Sequence, residues 1–245
     1  MSIELSLQAE TIHMNYQRVL EGIERASRVA GRDPSQIRLV VVTKEQPLEK
    51  VHAVIAAGAR HLGENYVEDA IPKIRSFANR EDLSWHMIGH VQSRKARLVC
   101  ENFDWIHSVD SVKLATRLNN FSDELNRKLP VLIELNVSGE ESKFGFPAWA
   151  DKQRSELKEQ VSQLVLLPNL VLCGLMTIAP YSLDPEAARP YYRRLREFQE
   201  RLFNAYPQVN WRELSMGMSR DYEVAIQEGA TVIRVGEAIL GTRPT

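Results

Sequence analysis

Cysteine is nearly absent: Cys100 and Cys173 are the only two in 245 residues. Two distant thiols make neither a disulfide framework nor a metal-ligand spacing, so both are read as packing residues and a reducing cytoplasm as the compartment. Net charge is nearly absent as well, with 31 basic against 32 acidic side chains and a formal value of −1. That balance excludes a dominant electrostatic attachment to nucleic acid or to a membrane surface. No apolar run approaches the length of a membrane span. Met1-Ser2-Ile3-Glu4 lacks the basic start and apolar stretch of a signal peptide. Nor does any repeat or low-complexity linker divide the chain, and residues 1–245 read as one domain. What remains is 44% hydrophobic and 26% charged, ordinary for a globular protein with a large core.

The pattern is an alternation of short apolar runs and amphipathic stretches. Residues 5–30 carry Ile12, Tyr16, Leu20, Ile23 and Ala26 at steps of three or four, which predicts a helix, although Gly22 inside it is a poor helix former. Strands are predicted near 38–43, 60–63, 83–88, 104–107, 130–137, 169–178, 213–215 and 231–235. The intervening segments read as helices, among them 93–100, 147–166, 185–205 and 220–228, with a last turn at 237–240. Parallel strands need such crossovers, and eight units in this length fit a closed (β/α)8 barrel with one extra N-terminal helix.

Arg38-Leu39-Val40-Val41-Val42-Thr43-Lys44 is the organising stretch. Its β-branched core favours a buried strand, and it ends in a lysine. Such a lysine either marks an exit to solvent or enters a concave site, where its amine can form a Schiff base with a carbonyl. In a (β/α)8 barrel the chemistry lies at the C-terminal ends of the strands. Asn65, His86, Asn136, Thr177, Ser215, Ser219, Arg234 and Gly236 fall at or near those ends. Ser215-Met216-Gly217-Met218-Ser219 and Arg234-Val235-Gly236-Glu237 stand where this barrel builds phosphate sites, with Ser219 a candidate helix N-cap and Gly236 small enough for close backbone approach. A Schiff-base lysine and a phosphate cradle suggest pyridoxal 5′-phosphate. Arg234, two residues before Gly236, shares its strand face and could meet the pyridine nitrogen as a pure donor.

The chain resembles the YggS family of pyridoxal phosphate homeostasis proteins. The resemblance is carried in order by Val-Val-Thr-Lys44, Gly63-Glu64-Asn65-Tyr66, Trp85 to Gln92, Ile106 to Asp110, Gly174-Leu175-Met176, Leu214 to Ser219 and Arg234-Val235-Gly236, and runs to Arg243. Thr43, Glu45-Gln46, Arg94 and Leu240 depart from the usual pattern. The resemblance implies a barrel of the alanine racemase N-terminal-domain type (fold type III of pyridoxal phosphate proteins), with the cofactor held as a Lys44 aldimine. It further implies Asn65 near the ring, Met176 in the pocket wall, Ser215, Ser219 and Gly236 in the phosphate cradle, and Arg234 on the pyridine nitrogen. Val42, His86 and Met218 complete the expected contacts. The family is described as buffering or delivering the cofactor, with effects on amino-acid and keto-acid balance and without a firmly established reaction.

Two classes stay open on the sequence. One is a non-catalytic holder of pyridoxal phosphate, with apo-enzymes that use this cofactor as possible partners and a monomer as the default state. The other is an amino-acid racemase or related α-carbon enzyme. Racemisation by two bases needs a proton carrier on each face. Lys44 could serve one; His86, Tyr66 and Tyr181 are the only candidates for the other. With the chain ending at Thr245, no C-terminal β domain is expected, and the holder is favoured. A barrel binding some other phosphate, with Lys44 as counter-ion, is the third reading.

Overall fold

The computed structural model describes residues 3–242, so the outer ends of the expected 1–245 domain, with Arg243, lie outside the described residues. A helix comes first, α1 (Ile3–Val29), then the strand β1 (Arg38–Val42) and the helix α2 (Leu48–Ala56). The units β2 (His61–Glu64) with α3 (Val67–Ser76), β3 (Ser84–Met87) with α4 (Ala96–Asn102), and β4 (Trp105–Val109) with α5 (Val112–Glu124) follow. After β5 (Leu129–Asn136) come a two-residue strand β6 (Phe146–Pro147) and α6 (Asp151–Val165). The chain continues through β7 (Leu170–Met176), α7 (Arg189–Ala205), β8 (Glu213–Ser215), α8 (Tyr222–Gln227), β9 (Val232–Val235) and α9 (Glu237–Leu240).

Eight of the strands form a closed parallel ring in the order β1, β2, β3, β4, β5, β7, β8, β9. The last returns to the first, with Val40 opposite Arg234 and Val41 opposite Val235. The predicted barrel and its extra helix are therefore present. Four helix expectations change at their starts, the one from 220 beginning at Tyr222. Residues 93–95 and 185–188 are 3-10 turns that lead into α4 and α7. The helix expected from 147 begins at Asp151, because Phe146 and Pro147 first pair with Leu135 and Asn136.

Strand alternation sorts the side chains into two environments. Leu39, Val41, Leu62, Ile106, Ile133 and Ile233 face the helices and join one continuous apolar cluster with Val54, Val99, Leu118 and Leu195. Each such burial is worth roughly 1.5–3 kcal/mol. The helix α1 lays its expected stripe, Ile12, Tyr16, Ile23 and Ala26, against this cluster and packs on α2, α8 and α9. Gly22 has its reason here: a Cβ would lie 2.0 Å from the Tyr222 hydroxyl. No described helix is long and apolar enough to cross a membrane.

Candidate functional site

Alternation carries Val40, Val42 and Lys44 along one face of the first strand, toward the mouth of the barrel. The segment is braced from behind. Lys73 Nζ, on α3, donates to the Thr43 carbonyl at 2.6 Å and to Glu64 Oε1 at 2.7 Å, while the Thr43 hydroxyl donates to the same carboxylate oxygen at 2.7 Å. Glu64 is wholly buried; burial pushes its carboxyl pKa up, and Lys73 pulls it back. Glu45, next after Lys44, holds φ at 57°, a sparsely populated conformation for a residue with a side chain. The brace and the turn together fix the direction in which the chain leaves Lys44.

On the adjoining strand Arg234 is buried inside the ring. Its Nη1 donates to Ser215 Oγ at 2.5 Å and its Nη2 to the Thr177 carbonyl at 2.9 Å. It forms no ion pair with any carboxylate among the described residues. From Ser215 a chain of hydrogen bonds runs down the barrel: Ser215 Oγ to His107 Nδ1 (2.9 Å), His107 Nε2 to His86 Nδ1 (2.9 Å), and His86 Nε2 to His61 Nδ1 (3.1 Å). Arginine only donates, so Ser215 accepts from it. A neutral imidazole has one donor and one acceptor nitrogen, so the tautomers of the three histidines are coupled along the line. Burial holds the histidines neutral: His86 and His107 lie well below the usual imidazole range and His61 falls to about 4.

At the mouth is a cavity of about 350 Å³. Of the ten expected site residues, Val42, Lys44, Asn65, Met218, Ser219, Arg234 and Gly236 line it. The other three do not. Ser215 lies beneath, under Arg234. His86 is fully buried in the histidine chain and stacks on Trp105, with ring centroids 5.9 Å apart. Met176 is packed with Leu132 and Cys173 inside the barrel. Ser219 is not the N-cap of α8. Asp221 stands at the N-cap of α8 and accepts from the Met218 N–H at 2.6 Å, while Ser219 Oγ accepts from the Ala238 N–H at 3.3 Å. That contact ties the loop after β8 to the start of α9.

Sequence reasoning passed over Glu134. It sits in the middle of an apolar strand, two residues beyond the inward-facing Leu132, and is 5% exposed. Desolvation and the nearby Asp110 carboxylate raise its pKa to about 7, against the pull of Arg234. A lone acid inside a run of Val, Leu and Ile was the available signal, since carboxyls are rarely buried without a purpose.

The donor set fits pyridoxal phosphate. Lys44 offers an amine, and Arg234 a buried guanidinium with donors only, suited to an unprotonated pyridine nitrogen. Ser219 offers a hydroxyl. At Gly236 a Cβ would lie 3.1 Å from both Cβ and the carbonyl oxygen of Val42, so a side chain there would crowd the neighbouring strand. When bound, the cofactor supplies an aldehyde for amines and an electron-withdrawing ring.

Residues 14–244 match the family described as alanine racemase, N-terminal domain. An alanine racemase of Clostridium difficile superposes with a TM-score of 0.74 at 15% identity. The match covers 96% of this chain and 58% of that one, a likeness of fold. Much nearer are proteins named pyridoxal phosphate homeostasis protein. That of Vibrio cholerae is 41% identical over 95% of this chain and 97% of its own length; that of Escherichia coli K12 is 41% identical over 94% and 95%. The solved structure of PipY from Synechococcus elongatus with pyridoxal phosphate bound has a TM-score of 0.78 at 37% identity, covering 90% of this chain and all of that one. The chain belongs to the pyridoxal phosphate homeostasis protein family.

Proposed function

We propose that this protein holds pyridoxal 5′-phosphate as a Schiff base on Lys44 and serves as an intracellular store from which the cofactor is passed on, rather than as a catalyst. The observation that carries this reading is one cavity lined by Lys44, Arg234, Ser219 and Gly236. Lys44 supplies the amine that binds the aldehyde carbon. Arg234, held by Ser215 and Thr177, orients the ring through its nitrogen and adds no proton to it, which leaves the ring a weak electron sink. Ser219 and the backbone at Gly236 receive the phosphate. The bound PipY structure and the names of the relatives support the cofactor. The weak sink favours storage over α-carbon chemistry. Recipient apo-enzymes and a monomeric state belong to the same proposal.

Lys44→Ala is the test. The native protein is expected to develop a Schiff-base absorbance band with pyridoxal phosphate, and the variant to lose it while retaining some affinity for the phosphate. A general loss of affinity for phosphate esters in the variant would make Lys44 a counter-ion only. Lys44-dependent deuterium exchange at the α-carbon of amino acids, followed by NMR, would instead make the protein an α-carbon enzyme.

A further inference from the structure

A second cavity of about 350 Å³ opens beside the first. The two share Asn65, Ile88 and Ile178, so they are continuous at the mouth. The second has apolar walls from Val91, Phe144 and Ile178, and Glu134 faces into it. Among the described residues no hydrogen-bond donor meets the Glu134 carboxyl, and the residue is only 5% exposed, so what solvent contact it has is with this cavity. A cationic donor seated there would meet a carboxylate that no protein group engages.

Position adds the second argument. In the ring order, β5 lies four strands from β1 in either direction, so Glu134 and Lys44 belong to opposite walls. Arg234, which orients the cofactor ring in the proposed site, lies on β9 beside β1. A group held by Lys44 therefore stands between the amine that holds it and the carboxyl across the barrel. The charged groups that act on Glu134 are Asp110, at the end of β4, and Arg234; Asp110 is itself engaged by His90 Nδ1 at 2.6 Å, and Lys95, which lines the same cavity, is paired with Glu68 at 2.6 Å.

We propose that this second cavity is a primary-amine subsite, where Glu134 receives the ammonium of an amine with a small apolar body and takes its proton, so that the amine displaces Lys44 from the cofactor. The proposal rests on the Lys44 reading above. In the step, the Glu134 carboxylate accepts one N–H proton. The freed nitrogen bonds to the cofactor's aldehyde carbon, passes one of its two remaining protons to Lys44 Nζ, and the bond from that carbon to Lys44 Nζ breaks. The new C=N linkage carries one proton as the old one did, Lys44 leaves as a neutral amine, and nothing is oxidised or reduced. Release would then answer to amine concentration rather than to water.

The experiment uses n-propylamine and hydroxylamine on the cofactor-loaded protein near pH 7, where the first is protonated and the second is not. Displacement is read from the absorbance band. Glu134→Gln is expected to slow exchange with propylamine about a hundredfold and to leave exchange with hydroxylamine within about twofold of the native rate. Glu134→Asp, which retracts the carboxylate by one methylene, should fall between. In parallel, calorimetry of propylammonium chloride with the cofactor-free chain should show saturable binding that Glu134→Gln removes. Equal slowing of both nucleophiles, no slowing of either, or unchanged propylammonium binding in the variant would overturn the proposal. Absence of a Lys44-dependent band in the native protein would overturn the Schiff-base reading instead, and the calorimetric arm would still decide the subsite.

Discussion

The two faces of the barrel strands teach different lessons. The outer face, toward the helices, is a dry layer of Leu, Val and Ile in one continuous cluster. Barrels of this architecture commonly fill the inner face with branched apolar residues too. Here the inner face carries Arg234, Ser215, His107, His86 and His61 in one hydrogen-bonded line, with Glu134 across from it. Stability comes from the outer layer. The inner line holds a buried arginine in place and turns a passive core into the floor of a site.

Truncating one side chain on each face tests that division. The largest effect belongs to the outer layer: Ile133→Ala should cost about 4 kcal/mol in urea unfolding, because it leaves a cavity in the close-packed cluster. His86→Leu should cost about 2–3 kcal/mol, since it leaves His61 Nδ1 and His107 Nε2 without their partner. Replacing His61 and His86 together by apolar residues should cost less than the sum of the two single changes, as expected of groups in one network. Full additivity would mean that the line is four separate contacts.

The smallest effect is the pH dependence. The three histidines have pKa values below their unfolded value, so between about 6.5 and the folded values the unfolded chain binds more protons. Their contribution is present above pH 6.5 and is lost as pH falls toward 4. Glu134 acts in the opposite sense: its raised pKa makes the folded state bind more protons between the ordinary carboxyl value of 4.5 and about 7, which lowers stability as pH rises through that window. Melting temperature followed from pH 7 downward should therefore decline, and His61→Asn should flatten the decline. A steeper decline in the variant would contradict neutral histidines.

The fold was legible because its signals are local. The β-branched run before Lys44, the apolar stripe of α1 and the eightfold alternation each lie within one segment, and even the three-residue β8 was found between its helices. The shared placement of Lys44, Asn65, Ser219, Arg234 and Gly236 at strand ends was legible for the same reason. What escaped is non-local. His61 gave no sign that His86 would stand beside it, because their contact is made by strand register rather than by spacing. His86 was expected among the cofactor's contacts but is buried in the histidine line and does not line the cavity at the mouth. Ser219 has the chemistry of a cap, but the helix starts later, with Asp221 at its N-cap, and the Ser219 hydroxyl accepts from the Ala238 N–H instead. Glu134 was hidden by its apolar neighbours, which say strand and nothing about which face the acid occupies.

Lys44 follows the first strand, Arg234 lies on the last, and the two strands pair only when the ring closes. A nascent chain on the ribosome has the lysine long before it has the arginine. It cannot assemble the pocket until the ninth strand has emerged and docked. Cofactor added during translation would thus bind finished molecules alone, and by mass action would draw them from the pool still folding. In the proposed reading, the ligand would mark completed synthesis.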